Sequence, residues 1–165
     1  MNKLPAIIIA SGAMAAAFAG CNSAGCTDNQ NSLPYAGFYA WPGGEAISVN
    51  SLEVTGIGAP DGEPLYSAGE SLANIYLPLR SEQNVTSYCF HYDQNGIDND
   101  LYNDTLTFRY SSQPYFASEE CGAMLTYRIE SLTYTRHLIE SITITDSLIT
   151  NTDLERIKIY FRTEQ

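Results

Sequence analysis

The sequence predicts an all-β protein: an immunoglobulin-like antiparallel β-sandwich of about eight strands, set behind a lipid tether. Three observations predict it. Apolar residues recur at every second position in one segment after another, as in Leu106, Phe108 and Tyr110 or Ile157, Ile159 and Phe161, the period that turns one face of a strand to a core. No segment sustains a helical period. Short strands with one apolar and one polar face can be covered only by two sheets packed face to face or by a closed barrel. The rows here are too bulky to leave a barrel's cavity, which favours the sandwich.

The first element is not part of the domain. Lys3 is followed by an almost unbroken apolar run from Leu4 to Phe18, about fifteen residues and so shorter than the roughly twenty a spanning helix needs. This order reads as a secretory signal peptide over residues 1–20. Phe18-Ala19-Gly20-Cys21 resembles the lipobox of bacterial lipoproteins, with Phe18 where that motif prefers Leu. The resemblance implies cleavage before Cys21 and diacylglycerol on its sulfur. Residues 21–32 are too polar to pack and read as a tether, leaving 33–165 as a single domain.

Tyr35, Phe38, Tyr39 and Trp41 come next, and Pro42-Gly43-Gly44 turns the chain away. Ile47 and Val49 begin the period-two signal, which Leu52 and Val54 resume after a phase shift at Asn50-Ser51 that marks a bulge or turn. Ile75, Leu77 and Leu79 form a row in which Pro78 demands an edge position. Tyr88, Phe90 and Tyr92, then Leu106, Phe108 and Tyr110, read as neighbouring antiparallel strands joined by a polar loop. Ala123, Leu125, Tyr127 and Ile129 follow, with a second phase shift at Ser131. Ile142 and Ile144, then Ile157, Ile159 and Phe161 against Lys158, Tyr160 and Arg162, complete the pattern, and Asn151-Thr152-Asp153 offers a cap for one helical turn before the last strand.

Charge and cysteines narrow the function. Without residues 1–20, seven basic residues face 19 acidic ones, a formal charge of −12 that repels nucleic acid and anionic head groups. Attachment to lipid then falls to acyl chains, several of which hold well where one holds weakly. With Cys21 lipidated, Cys26, Cys89 and Cys121 remain, an odd number that predicts one disulfide and one free thiol in an oxidising compartment. Cys26–Cys121 is the preferred pair, closing a loop of about 95 residues worth about 4 kcal/mol in the chain-entropy model. Cys89–Cys121 is the competing pair.

Four stretches, Cys26, Phe116 to Gly122, Tyr134 to Ile142 and Ile157 to Phe161, resemble an uncharacterised family of Gram-negative outer-membrane lipoproteins, a domain of unknown function. The resemblance implies that the cysteines near the tether and in the Cys121-Gly122 corner belong to the family pattern and that Cys89 does not. It implies no substrate, cofactor or active site, and it makes an outer-membrane β-barrel a candidate partner. Asn22 and Ser23 after the lipidated cysteine resemble the default signal for outer-membrane delivery, here to the periplasm-facing leaflet.

Two candidate sites stand out. Asp93, Asn95, Asp98 and Asp100, with Asn103 and Asp104 beyond them, cluster enough oxygens to interest calcium. Their spacing fails the EF-hand pattern, however, and Asn95-Gly96 is a strong hairpin turn pair, so no metal is expected. Tyr35, Phe38, Tyr39 and Trp41 do not alternate cleanly and are the candidate contact patch for a partner or a glycan, although packing of a first strand is the plainer reading. No G-x-S-x-G or H-E-x-x-H motif accompanies His91 and His137. The expectation is therefore a lipid-anchored outer-membrane protein with no enzymatic activity and no cofactor. It would serve an envelope protein as a binding or accessory module, the alternative being a surface glycan-binding module.

Overall fold

The computed structural model describes residues 31–163; residues 1–20, Cys21 and Cys26 lie outside them. Among the described residues four strands form one sheet: β1 (Tyr35–Trp41), β6 (Asn74–Tyr76), β10 (Ile139–Ile144) and β12 (Glu155–Arg162), in the order β10-β12-β1-β6. Six form another: β3 (Leu52–Gly56), β4 (Pro64–Tyr66), β7 (Val85–Tyr92), β8 (Asp104–Ser118), β9 (Gly122–Tyr134) and β11 (Leu148–Ile149), in the order β11-β9-β8-β7-β3-β4. The short strands β2 (Val49–Asn50) and β5 (Ser71–Leu72) pair with each other. The fold is all-β and sandwich-like.

The period-two rows make the core. In β7, Thr86, Tyr88, Phe90 and Tyr92 are buried in strict alternation, and β12 buries Ile157, Ile159 and Phe161 in the same way. Phe161 joins the sheets: its ring meets Phe38 of its own sheet edge-on at 5.1 Å and Tyr92 of the opposite sheet at 6.4 Å. The predicted phase shifts are real. Ser51 adopts φ 49° between β2 and β3, and the β8–β9 register slips between Arg109 and Tyr110, opposite Ser131 and Ile129, which leaves Glu130 as the extra residue of a bulge. The strand carrying Ile75 is an edge strand, as Pro78 requires, but it ends at Tyr76.

Several expectations are corrected. There are more strands than eight, the additions being pieces of two or three residues that carry too little sequence to show a period. One pairing is parallel: β1 runs alongside β12, from Tyr35 opposite Glu155 to Trp41 opposite Arg162. Asn151 to Asp153 form no helical turn; the single 3-10 turn among the described residues is Asp100–Tyr102, where Asn99 Oδ1 accepts from the Leu101 N–H at 2.9 Å. Ser32, assigned to the tether, is buried at 5% exposure. On β9 it is Met124, not Ala123, that turns inward.

Candidate functional site

The parallel pairing of β1 and β12 decides what the outer face of the four-stranded sheet carries. Ala36, Phe38 and Ala40 lie opposite Ile157, Ile159 and Phe161, all six buried. By the alternation of strands, Tyr35, Gly37, Tyr39 and Trp41 turn to the other side, together with Glu155, Lys158, Tyr160 and Arg162. Tyr76 of β6 joins them, since it lies opposite Tyr35. Five aromatic rings thus share one face over about 20 Å of strand.

The rings are ordered by one another. Tyr35 and Tyr76 stack with centroids 4.9 Å apart, Tyr39 lies 5.5 Å from Tyr160, and Trp41 meets Tyr160 edge-on at 6.4 Å. Trp41 is the most open, at 45% exposure. Lys158 places its ammonium 4.8 Å above the Tyr39 ring, a favourable cation–π position, and 3.8 Å from Glu155 Oε1. Of the four residues predicted as a contact patch, three belong to this face and Phe38 does not: at 1% exposure it is core. Sequence reading missed Tyr76, Lys158 and Tyr160 as members. Their outward phase was visible, but nothing in the sequence placed β12 beside β1.

Gly37 opens a niche in the middle of the face. A Cβ there would stand 2.0 Å from Glu155 Oε2 and 3.2 Å from the Tyr39 ring. The Glu155 carboxylate lies over the bare backbone, where the Tyr39 hydroxyl donates to its two oxygens at 2.8 and 3.0 Å. Burial first, and the bond to Glu155 second, push the Tyr39 phenol up to about 12 from its usual 10. A raised acid contributes stability in full below its unfolded value, and the contribution is lost as pH climbs through the folded one, so this part of the face weakens between about pH 10 and 12. Gly37→Ala displaces Glu155 and is expected to bring the Tyr39 titration back toward 10, read by ultraviolet absorbance of the phenolate. A Tyr39 titration unchanged in Gly37→Ala would refute the niche.

The ends of the face are held by charge. Glu140 of β10 accepts from Arg162 Nε at 2.7 Å and pairs with Arg136. The Arg162 bond is the foremost reason that its carboxyl titrates below the usual range. Arg156 pairs with Asp146 nearby in sequence to the β10–β11 turn.

The loop considered for calcium is put to other uses. Asp98 lies 3.3 Å from His91 Nε2, Asp100 accepts from the Asn103 amide at 3.2 Å, and Gly96 takes the positive φ of 91° that the Asn95-Gly96 turn needs. Asp93 and Asn95 are exposed beside them. Among the described residues no group of three or more His, Cys, Asp or Glu is placed to hold a metal ion.

Asp104, counted with that loop, is instead fully buried at the start of β8. It accepts from the backbone N–H groups of His137, Leu138 and Ile139, each at 2.9 Å, and from the hydroxyls of Tyr92 at 3.0 Å and Thr135 at 2.9 Å. The turn from β9 into β10 is thereby wrapped around one carboxylate, and the Tyr92 phenol is pushed far above 10 by burial first and Asp104 second.

Cys89 is a free thiol, half-buried in β7, whose titration is raised chiefly by burial. That removes the competing pair Cys89–Cys121. Cys121 itself is not free, and Cys26 lies outside the described residues.

A family model matches residues 51–161, from the start of β3 almost to the end of β12. The chain belongs to DUF6452, a family of unknown function. The match takes in Asp104, the turn it holds and the β6 and β12 side of the aromatic face; β1 lies before it. No curated protein and no solved structure matches this DUF6452 chain.

Proposed function

We propose that this protein is a lipid-anchored, non-catalytic module of the outer membrane that holds a protein partner against the outer face of its four-stranded sheet. The observation that carries the reading is the set of five outward aromatic rings, Tyr35, Tyr39, Trp41, Tyr76 and Tyr160, ordered by mutual contacts and accompanied by Lys158 and Arg162. Aromatic side chains and arginine are the residues in which binding energy concentrates at protein interfaces, and Tyr and Trp in particular remove much apolar area from water at small entropic cost.

The anchor follows from the sequence: a signal peptide over residues 1–20, acyl chains on Cys21 and a Cys26–Cys121 cross-link that fastens the tether to the domain. An outer-membrane β-barrel is the partner proposed, met from the periplasmic side. The test is affinity recovery of the native protein from detergent-solubilised membranes. The reading expects a stoichiometric protein partner; recovery of the chain by itself would overturn it. A surface glycan-binding module is the second reading, favoured by the open Trp41 ring, since flat rings also stack on sugars. Protease treatment of intact cells separates the two, because a periplasmic domain survives it and a surface domain is digested.

A further inference from the structure

The turn after β3, the strand β4 and the segment leading into β7 border an open cleft of about 290 Å³. Its walls are apolar, built from Ala59, Pro60, Pro64, Leu65, Pro78 and Tyr88, and two side chains of opposite charge, Arg80 and Glu63, also line it. Arg80 is fixed in place: its guanidinium donates to the Ile57 carbonyl at 2.7 Å and to Gln83 Oε1 at 3.3 Å, while its own carbonyl accepts from the Tyr110 hydroxyl at 2.9 Å. A guanidinium carries five N–H donors, so donors remain for a ligand. Neither Arg80 nor Glu63 stands in an ion pair among the described residues.

We propose that this cleft binds a free α-amino acid with an apolar side chain. Arg80 would take the carboxylate, Glu63 the ammonium and the proline and tyrosine walls the side chain. The combination selects the ligand class. A fatty acid would leave Glu63 facing its anion, an alkylamine would leave Arg80 unmatched, and a peptide end presents only one of the two charges at its terminal Cα. This site is independent of the proposed lipid anchor and protein partner.

Calorimetric titration of the full-length protein tests it, with L-phenylalanine as the probe beside 3-phenylpropionate, which lacks the ammonium, and phenethylamine, which lacks the carboxylate. L-phenylalanine is expected to bind, and each analogue to bind about tenfold more weakly or worse, the order expected for losing one charge-assisted hydrogen bond. Glu63→Gln, on an exposed turn, should weaken L-phenylalanine by about as much while leaving 3-phenylpropionate unaffected. Arg80→Gln should weaken both L-phenylalanine and 3-phenylpropionate and leave phenethylamine unaffected. Absence of L-phenylalanine binding at millimolar concentration would overturn the proposal. So would analogues that bind as tightly as the amino acid, or an affinity that Glu63→Gln does not change.

Discussion

Asp104→Ala is expected to cost about 4 kcal/mol, because it takes the acceptor from three backbone N–H groups, that of Ile139 buried and those of His137 and Leu138 part-buried, each worth about 1–3 kcal/mol where water cannot replace the bond. That is a large part of the roughly 5–15 kcal/mol that holds a domain of this size together. The loss has a structural address. The N–H groups of His137, Leu138 and Ile139 all aim at this carboxylate, so the turn into β10 loses its fixed point, and with it the strand that flanks β12. Asp104→Asn separates shape from charge. Its amide nitrogen must face donors whichever way it is turned, since Oδ1 accepts from Thr135 and His137 while Oδ2 accepts from Tyr92, Leu138 and Ile139. A loss of about 2–3 kcal/mol is expected for it. Urea denaturation monitored by tyrosine fluorescence measures both, and a loss under about 1 kcal/mol for the alanine variant would contradict the role given to this group.

On the aromatic face the expected effect is on binding, with folding kept. Trp41 is 45% exposed and meets its own domain chiefly at the edge of Tyr160, so Trp41→Ala leaves the core intact. If Trp41 and Tyr160 anchor a partner, each truncation should cost about 2 kcal/mol of affinity, about 30-fold. The double variant should bring down no stoichiometric partner from solubilised membranes. Arg109→Ala, exposed on β8 of the other sheet, is the matched control and should recover it undiminished. Equal recovery by both variants would mean that the partner sits elsewhere.

Much of this architecture was legible from alternation alone. Tyr88 to Tyr92 and Leu106 to Tyr110 announced adjacent antiparallel strands, and they pair with Tyr88 opposite Leu106; Ser51 and Ser131 announced breaks in phase, and a turn and a bulge stand there. These signals are local, and a period of two survives whatever the strand packs against. What was not legible depends on distant partners. Tyr35 to Trp41 failed to read as a clean strand because its outward row, Tyr35, Tyr39 and Trp41, is as aromatic as its inward row, Ala36, Phe38 and Ala40, is apolar, and it is the distant β12 that covers the inward one. For the same reason Phe38 passed for a surface residue. Asp104 looked like one more loop carboxylate because the N–H groups that claim it lie more than thirty residues later. The bonds that engage Asp98 and Asp100 in that loop, to His91 and Asn103, are likewise nothing that spacing reveals.

Site-specific photo-crosslinking in the native membrane measures which surface of the domain meets the partner. A photoreactive residue placed at Trp41 or Tyr160 should trap one discrete protein adduct, and the same residue at Arg109 should trap none. Adducts from Arg109 with none from Trp41 and Tyr160 would contradict the assignment of the four-stranded sheet's outer face as the contact surface.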